Sequence, residues 1–302
     1  MIEIEPNISL LEKHISEITP KIHKKIESLD KKNLSNNKTT ECLEHLSNKK
    51  EIKNLLSANT KQLKSYAKFF EIYYPDSLDE TSELNKILRG IFVKEYDNWR
   101  NRTTYGAYTF VQEIDLKTCP YCNRNYTFTV VNKNGKMRPQ IDHFYPKSKY
   151  PFLAMSFHNL IPSCPSCNHA KKENFSDNLI NPYDLTSNDF KFTYMPKSIN
   201  FLAIKKEKYH FDDFEIKIDG NKEQIMLFKL DELYKQHKDI VLELLVKIIY
   251  YPNSYIEELA SFGFNKDEIY RYLISNYSQK QDLHKRPLSK LIKDISTELG
   301  LI

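Results

Sequence analysis

Two pairs of cysteines constrain the fold of this chain more than any other feature of its sequence. Cys119 and Cys122 flank Pro-Tyr, Cys164 and Cys167 flank Pro-Ser, and 41 residues separate the two pairs. A C-x₂-C turn presents two sulfurs to one ion, so two such turns complete a tetrahedral shell of four thiolates. We therefore predict a structural zinc site with Cys119, Cys122, Cys164 and Cys167 as its ligands.

Disulfide bonds are the alternative use of these thiols. The sequence starts Met-Ile-Glu-Ile-Glu-Pro, with no apolar signal segment, and it contains no uninterrupted apolar run of about 18 residues. We accordingly expect a cytoplasmic protein without membrane association, in which thiols stay reduced. The fifth cysteine, Cys42, is expected to be a partly buried small side chain.

The composition favours a mostly helical α+β fold. Apolar residues make up 40% of the chain and glycine occurs only six times, which suits helices with substantial cores better than a turn-rich β fold. We predict three segments. Residues 1–105 form a helical region that packs on the remaining chain or docks a partner, residues 106–185 form the cysteine-bearing module, and residues 186–302 form small strands followed by helices.

Within the module the pattern predicts strand, loop, strand and helix. Residues 126–131 alternate in polarity, an Asn-Gly turn follows, and residues 136–141 are expected to return as the second strand of a hairpin that delivers Asp142-His143. Residues 160–162 are expected to form a short strand, and Ser166 to cap the helix after it. Farther along, strands are predicted around residues 209–220, and a last helix from near Pro287 to Gly300.

These motifs resemble the HNH family of ββα-metal nucleases. In that family a C-x₂-C pair is followed by an acidic residue and histidine, then Asn-Leu, then a second C-x₂-C with His or Asn and, three residues later, Lys. The resemblance covers about 55 residues of this chain and implies a zinc-stapled ββα module embedded between helical regions. The matching elements are Cys119, Cys122, Asp142-His143, Asn159-Leu160, Cys164, Cys167, Asn168 and Lys171.

The chemistry of phosphodiester cleavage suggests roles for these residues, because it needs a base for water and a cation for the charge on phosphorus. His143 is the candidate base, since a neutral imidazole accepts a proton near pH 7. Asp142 and Asn168 are the candidate ligands of a Mg²⁺ or Mn²⁺ ion, which prefers oxygen. His169 is the alternative to Asn168 at that position. By resemblance, Asn159 braces the loop and orients the histidine.

The charge distribution indicates where nucleic acid binds. Residues 117–175 carry nine basic and two acidic side chains, although the net charge of the whole chain is only +5. A basic surface next to a metal site is what a phosphate backbone requires. The expected contacts are Lys147, Lys149, Lys171, Lys172 and Arg124.

The resemblance implies an endonuclease that cuts DNA and leaves a 5′-phosphate and a 3′-hydroxyl. The motif and its helical flanks also look like HNH subunits of bacterial anti-phage systems of the Septu type, in which the nuclease works with an ABC/SMC-like ATPase. Two other hypotheses remain open. One is a non-catalytic zinc finger that binds nucleic acid or protein, which needs the cysteines but not Asp142, His143 and Asn168; the other is a nuclease directed at RNA.

Overall fold

The computed structural model of the chain describes residues 1–30, 34, 36–197 and 211–302. These ranges are mostly helical, with short strands in antiparallel pairs, so the α+β prediction is confirmed. None of the helices described is long and apolar enough to cross a membrane. The helices are α1 Ile8–Glu27, α2 Asn37–Ser47, α3 Lys49–Ser57, α4 Thr60–Tyr73, α5 Glu83–Leu88, α6 Lys94–Arg100, α7 Ala107–Ile114, α8 Pro165–Lys171, α9 Lys222–Leu227, α10 Leu230–Lys235, α11 Lys238–Tyr250, α12 Asn253–Ser261, α13 Lys266–Leu273 and α14 Ser289–Glu298.

The chain forms two compact units, each assembled from separate pieces of sequence. Residues 4–116 and 127–177 form what we call the N-terminal unit, and residues 1–3, 117–126 and 178–302 form the C-terminal unit. The strands are β1 Val130–Asn132, β2 Gly135–Met137, β3 Gln140–His143, β4 Leu160–Ser163, β5 Phe190–Pro196 and β6 Phe214–Gly220.

Helix α1 organises the core of the N-terminal unit. Asn7 caps it by accepting a hydrogen bond from the Leu10 amide, and the helix packs on α3 and α7. One face is buried at a spacing of four residues, and each of its apolar side chains contributes about 1.5–3 kcal/mol on leaving water. These buried residues are Leu10, His14, Ile18, Ile22 and Ile26.

The N-terminal helices pack on the segment that joins β3 to β4. Phe70 of α4 stacks on Phe152, with ring centroids 3.8 Å apart and planes 13° from parallel. The Ser156 hydroxyl donates a hydrogen bond of 2.8 Å to the Leu55 carbonyl at the end of α3. The long β3–β4 connection is therefore fixed by helices that precede it by about a hundred residues.

The β3–β4 pair differs from the hairpin that the sequence predicts. Strand β1 pairs with β2, but β2 ends at Met137, and β3 pairs with β4 in the register His143 opposite Leu160. The predicted continuous return strand over residues 136–141 is wrong because Pro139 interrupts it: proline donates no ladder hydrogen bond and restricts the residue before it. The predicted order of strand, loop, strand and helix holds for β3, β4 and α8.

The C-terminal unit contains the β5–β6 hairpin and the last helix. Gly220 closes the strand pair at φ +152°, where an added Cβ would lie 2.4 Å from the Asp189 carbonyl oxygen, so only glycine fits. Helix α14 packs on β5, and its Asp294 accepts a hydrogen bond of 2.9 Å from the Phe192 amide. As predicted, this helix ends before Gly300, which has φ +71°. Of the strand predicted around 209–220, residues 209 and 210 lie outside the described residues.

Candidate active site

The four predicted zinc ligands lie together. The sulfurs of Cys119, Cys122, Cys164 and Cys167 are all within 4.8 Å of one another, and all four side chains are buried. A tetrahedral zinc with Zn–S bonds of about 2.3 Å places its sulfurs about 3.8 Å apart. The sulfurs of this cluster are therefore nearly as close together as those of a tetrahedral zinc shell. No disulfide joins these cysteines. The donor set and its burial fit a structural zinc site.

The first cysteine turn is held by hydrogen bonds around Asn123. This residue adopts the left-handed conformation at φ 48°, and its amide donates to the Cys119 carbonyl over 2.7 Å. Its side-chain oxygen accepts from the Lys290 amide in the first turn of α14 over 3.0 Å. The Tyr234 hydroxyl donates to the Cys122 carbonyl over 2.6 Å. The turn is therefore tied to two helices of the C-terminal unit.

The second cysteine turn also starts helix α8. Cys164 is its N-cap, and its sulfur accepts a hydrogen bond of 3.5 Å from the Cys167 amide. The predicted cap at Ser166 is wrong by two residues, because Pro165 occupies the first helical position, where its fixed φ suits a helix and its missing N–H is no loss. The short helix then carries Asn168 and Lys171 on toward β3.

His143 ends strand β3 in a defined tautomer. Its Nε2 lies 3.0 Å from the Ala154 carbonyl oxygen, which only accepts hydrogen bonds, so Nε2 carries the proton and Nδ1 carries the lone pair. Burial, followed by the positive charge of Lys147, lowers the pKa of His143 to about 3. The imidazole is consequently neutral near pH 7, as a general base must be before it takes a proton, but a pKa this far below pH 7 makes it a weaker base than a histidine with the usual pKa.

Asp142 and Lys171 form a buried ion pair next to His143. The Lys171 Nζ lies 3.3 Å from Asp142 Oδ2 and donates a hydrogen bond of 2.7 Å to the His143 carbonyl oxygen. Burial lowers the pKa of Lys171, and the carboxylate of Asp142 opposes that shift. Lys171 is therefore fully buried and bonded to the strand, whereas the sequence led us to expect it at a phosphate.

Asn159 braces the loop that follows His143. Its Oδ1 accepts a hydrogen bond of 2.6 Å from the Tyr145 amide, and its Nδ2 donates to the carbonyls of Tyr145 and Leu153 over 3.1 and 2.9 Å. The side chain is completely buried. The ring of His143 is held by Ala154 instead, so Asn159 acts on the loop and through it on the histidine.

Asn168 lies on the first turns of α8 and lines the same cleft as Asp142 and His143. Its Nδ2 donates a hydrogen bond of 2.5 Å to Gln140 Oε1, and this contact does not engage the amide oxygen of Asn168. A carboxylate and an amide oxygen suit Mg²⁺ or Mn²⁺, which bind few protein oxygens and keep several waters. His169, the alternative residue, is exposed and is not among the described residues lining the cleft.

The cleft has a volume of about 460 Å³ and brings together Asp142, His143 and Asn168 within the N-terminal unit. Of the five predicted nucleic-acid contacts, Lys147 and Lys172 line it. Lys149 lies over the ring of Tyr150 at 5.2 Å and Arg124 donates to His237 over 2.9 Å. Neither of them is among the described residues that line the cleft.

Sequence reasoning missed several residues of the cleft. Arg89, Tyr96 and Arg100 come from the helices before the motif, and no spacing rule relates them to it. Gln140 gave a usable signal: it precedes Asp142 by two residues on β3, and side chains two apart on a strand share a face. Arg138 also lines the cleft.

Two comparisons with known proteins returned a match. A model of the HNH endonuclease family matches residues 119–174. The Septu protein PtuB of Bacillus thuringiensis is 42% identical over 89 residues, which are 28% of this chain and 32% of that protein. The chain thus spans about a third of the length of this curated relative. No solved structure matches the chain.

Proposed function

From the HNH endonuclease domain at residues 119–174, we propose that this chain is a metal-dependent endonuclease that hydrolyses phosphodiester bonds of DNA. The observation that carries the proposal is the convergence of Asp142, His143 and Asn168 on one cleft, with the histidine held as the neutral tautomer. A zinc finger that only binds nucleic acid or protein has no need for this arrangement.

His143 takes the proton from the attacking water at Nδ1. Its Nε2–H stays on the Ala154 carbonyl, which keeps the ring oriented and favours the imidazolium that forms. The water oxygen bonds to phosphorus, the bond from phosphorus to the 3′-oxygen breaks, and the 3′-oxygen takes up a proton. The products are a 5′-phosphate and a 3′-hydroxyl.

Asp142 and Asn168 hold a Mg²⁺ or Mn²⁺ ion in this proposal. When bound, that ion offsets the charge that develops on the phosphoryl and leaving oxygens. Lys171 keeps Asp142 and the backbone of His143 in place, and Asn159 keeps the following loop in place. Asn159 and Lys171 are thus positioning residues, and the four cysteines hold a separate, structural zinc.

The substrate is tested by offering labelled DNA and RNA of the same sequence to the purified chain with Mg²⁺ or Mn²⁺. We expect cleavage of DNA. Its products should carry a 5′-phosphate that a phosphatase removes. Cleavage of RNA alone would overturn the choice of DNA. Failure to cut either polymer with either ion would contradict the proposed activity of the chain.

The likeness to the Septu protein PtuB supports a role in anti-phage defence. We include in the proposal that the nuclease works with an ABC/SMC-like ATPase. Capture of the tagged chain from its own host, followed by mass spectrometry, is expected to recover such an ATPase. A host that carries the His143→Ala allele should lose protection against phage, whereas equal protection by this allele would refute a defence role that depends on cleavage.

A further inference from the structure

Five basic side chains line the catalytic cleft, and three of them are arginines from outside the motif residues. Arg89 and Arg100 come from the N-terminal helical region, and Arg138 lies between β2 and β3. Lys147 and Lys172 are the other two cations, whereas Asp142 and Glu173 are the acidic residues among the described lining. Asp142 already has Lys171 beside it. The cleft therefore has an excess of positive charge suited to a polyanion.

Tyr96 connects two of these cations to the catalytic histidine. Its ring meets the imidazole of His143 edge-on, with centroids 4.5 Å apart and planes at 69°. Lys147 Nζ lies 4.8 Å and the Arg100 guanidinium 5.8 Å from the centre of the same ring. Cations over an aromatic face are held by its quadrupole. One buried ring thus contacts the base and two cations, of which Lys147 also pairs with the Asp97 carboxylate at 3.7 Å.

Helix α6, which carries Tyr96, is held in place by a buried ring and by the ion pairs of a buried carboxylate. Trp99 is completely buried, and the buried Glu95 pairs with Lys25 at 3.0 Å and with Arg102. Tyr96 and Arg100 are four residues apart, so they share one face of the helix.

The π-helical turn Arg89–Val93 leads directly into α6, and such turns often occur at functional sites. The Arg89 guanidinium lies 3.7 Å from Glu80, an exposed carboxylate, which is a weak constraint. Arg138 lies over Tyr108 at 5.3 Å and donates to the Pro139 carbonyl over 2.8 Å. Neither arginine is committed to a buried acidic partner among the described residues.

We propose that Arg89, Arg100 and Arg138 bind the DNA phosphates that flank the scissile one, with Tyr96 as the positioning residue. The inference rests on the proposed nuclease function, since the phosphate that is cut lies at Asp142, His143 and Asn168 in the same cleft. The planar fork of each guanidinium suits bidentate contacts to phosphate oxygens. The N-terminal helices therefore form part of the proposed substrate-binding surface.

Binding is measured apart from cleavage by fluorescence anisotropy of a labelled DNA duplex, with His143→Ala as the parent protein, no added Mg²⁺, and salt from 50 to 200 mM. Arg89→Gln, Arg100→Gln and Arg138→Gln are each expected to reduce the slope of log affinity against log salt by about 0.9. Each should weaken affinity about 5-fold to 10-fold at 100 mM salt. Arg271→Gln is the matched control, because Arg271 is not among the described residues of the cleft.

Tyr96 is tested with two substitutions on the same parent. Tyr96→Leu removes the ring and should lower both the affinity and the salt slope, whereas Tyr96→Phe keeps the ring and should restore most of both. A merely structural loss would change the amount of folded protein without changing the salt slope of the folded fraction. Equal slopes for Tyr96→Leu and the parent would refute the positioning role.

A triple arginine variant, which combines Arg89→Gln, Arg100→Gln and Arg138→Gln, decides the proposal. An affinity and a salt slope equal to those of the parent would overturn it, and so would an equal loss in Arg271→Gln. The outcome is separate from that of the nuclease proposal. If the native chain cuts neither polymer but the arginine variants lose binding, the catalytic assignment fails and the phosphate contacts stand; if the native chain cuts and the triple variant binds normally, only the phosphate contacts fail.

Discussion

Replacing Lys171 by methionine tests the buried ion pair beside His143. Methionine fills most of the volume of the lysine stem but leaves the Asp142 carboxylate without the ammonium 3.3 Å away, and the His143 carbonyl without its 2.7 Å hydrogen bond. Breaking a buried pair by removing one partner costs about 3–5 kcal/mol, because the other charge remains buried. In a unit of this size that loss corresponds to a fall in Tm of about 6–20 °C.

The neighbouring residue provides the control. Lys172 is exposed, so Lys172→Met should change the free energy of unfolding by no more than about 0.5 kcal/mol. The assay is urea unfolding and scanning calorimetry in buffer without added Mg²⁺, on proteins of equal zinc content. The reasoning is refuted if Lys171→Met is as stable as Lys172→Met. It also fails if the double variant Asp142→Asn, Lys171→Met loses the full sum of the two single losses, because a real pair makes those losses non-additive.

Three further predictions concern the zinc, the loop and pH. Cys164→Ser should lose bound zinc, measured by mass spectrometry of the metal, and unfold at lower denaturant; a fully active variant without zinc would contradict the structural role. Asn159→Ala removes the side-chain oxygen that accepts from the Tyr145 amide and should lower kcat more than tenfold with little change in KM; a change in KM alone would argue against positioning. Burial lowers the pKa of His14 from 6.5 to about 4, so as the pH falls the unfolded chain takes up the proton first. About 3 kcal/mol of stability should therefore be lost between pH 6.5 and 4. His14→Gln should flatten that part of the plot of unfolding free energy against pH, and an unchanged slope would refute this prediction.

The parts of the site that follow from local rules could be predicted from the sequence. The cysteine spacing predicts two turns whose four sulfurs come together, and the order of Asp142, His143, Asn159 and Asn168 predicts strand, loop, strand and helix. Pro139 was a local signal that the strand is interrupted, and its effect on β2 could have been deduced. The start of α8 was likewise encoded by Pro165.

The remaining parts depend on contacts between residues that are distant in sequence. Whether Lys171 meets solvent or Asp142 is decided by how α8 lies on β3, which the helical period does not show. Arg89, Tyr96 and Arg100 reach the cleft through the packing of helices that precede the motif, as the edge-on contact of the Tyr96 ring with the His143 imidazole shows. The three-segment division of the chain stays a prediction. Each compact unit combines separate pieces of sequence, which a division into consecutive segments does not describe.

The most direct test of the account compares the rates at which the native chain and His143→Ala nick a plasmid in Mg²⁺. Both proteins should contain one zinc per chain and have the same circular dichroism, so that only the base differs. We expect nicking by the native chain and a rate at least about 100-fold lower for His143→Ala, which is the usual contribution of a general base. Nicking by His143→Ala within about twofold of the native rate would contradict the assignment of His143 as the catalytic base.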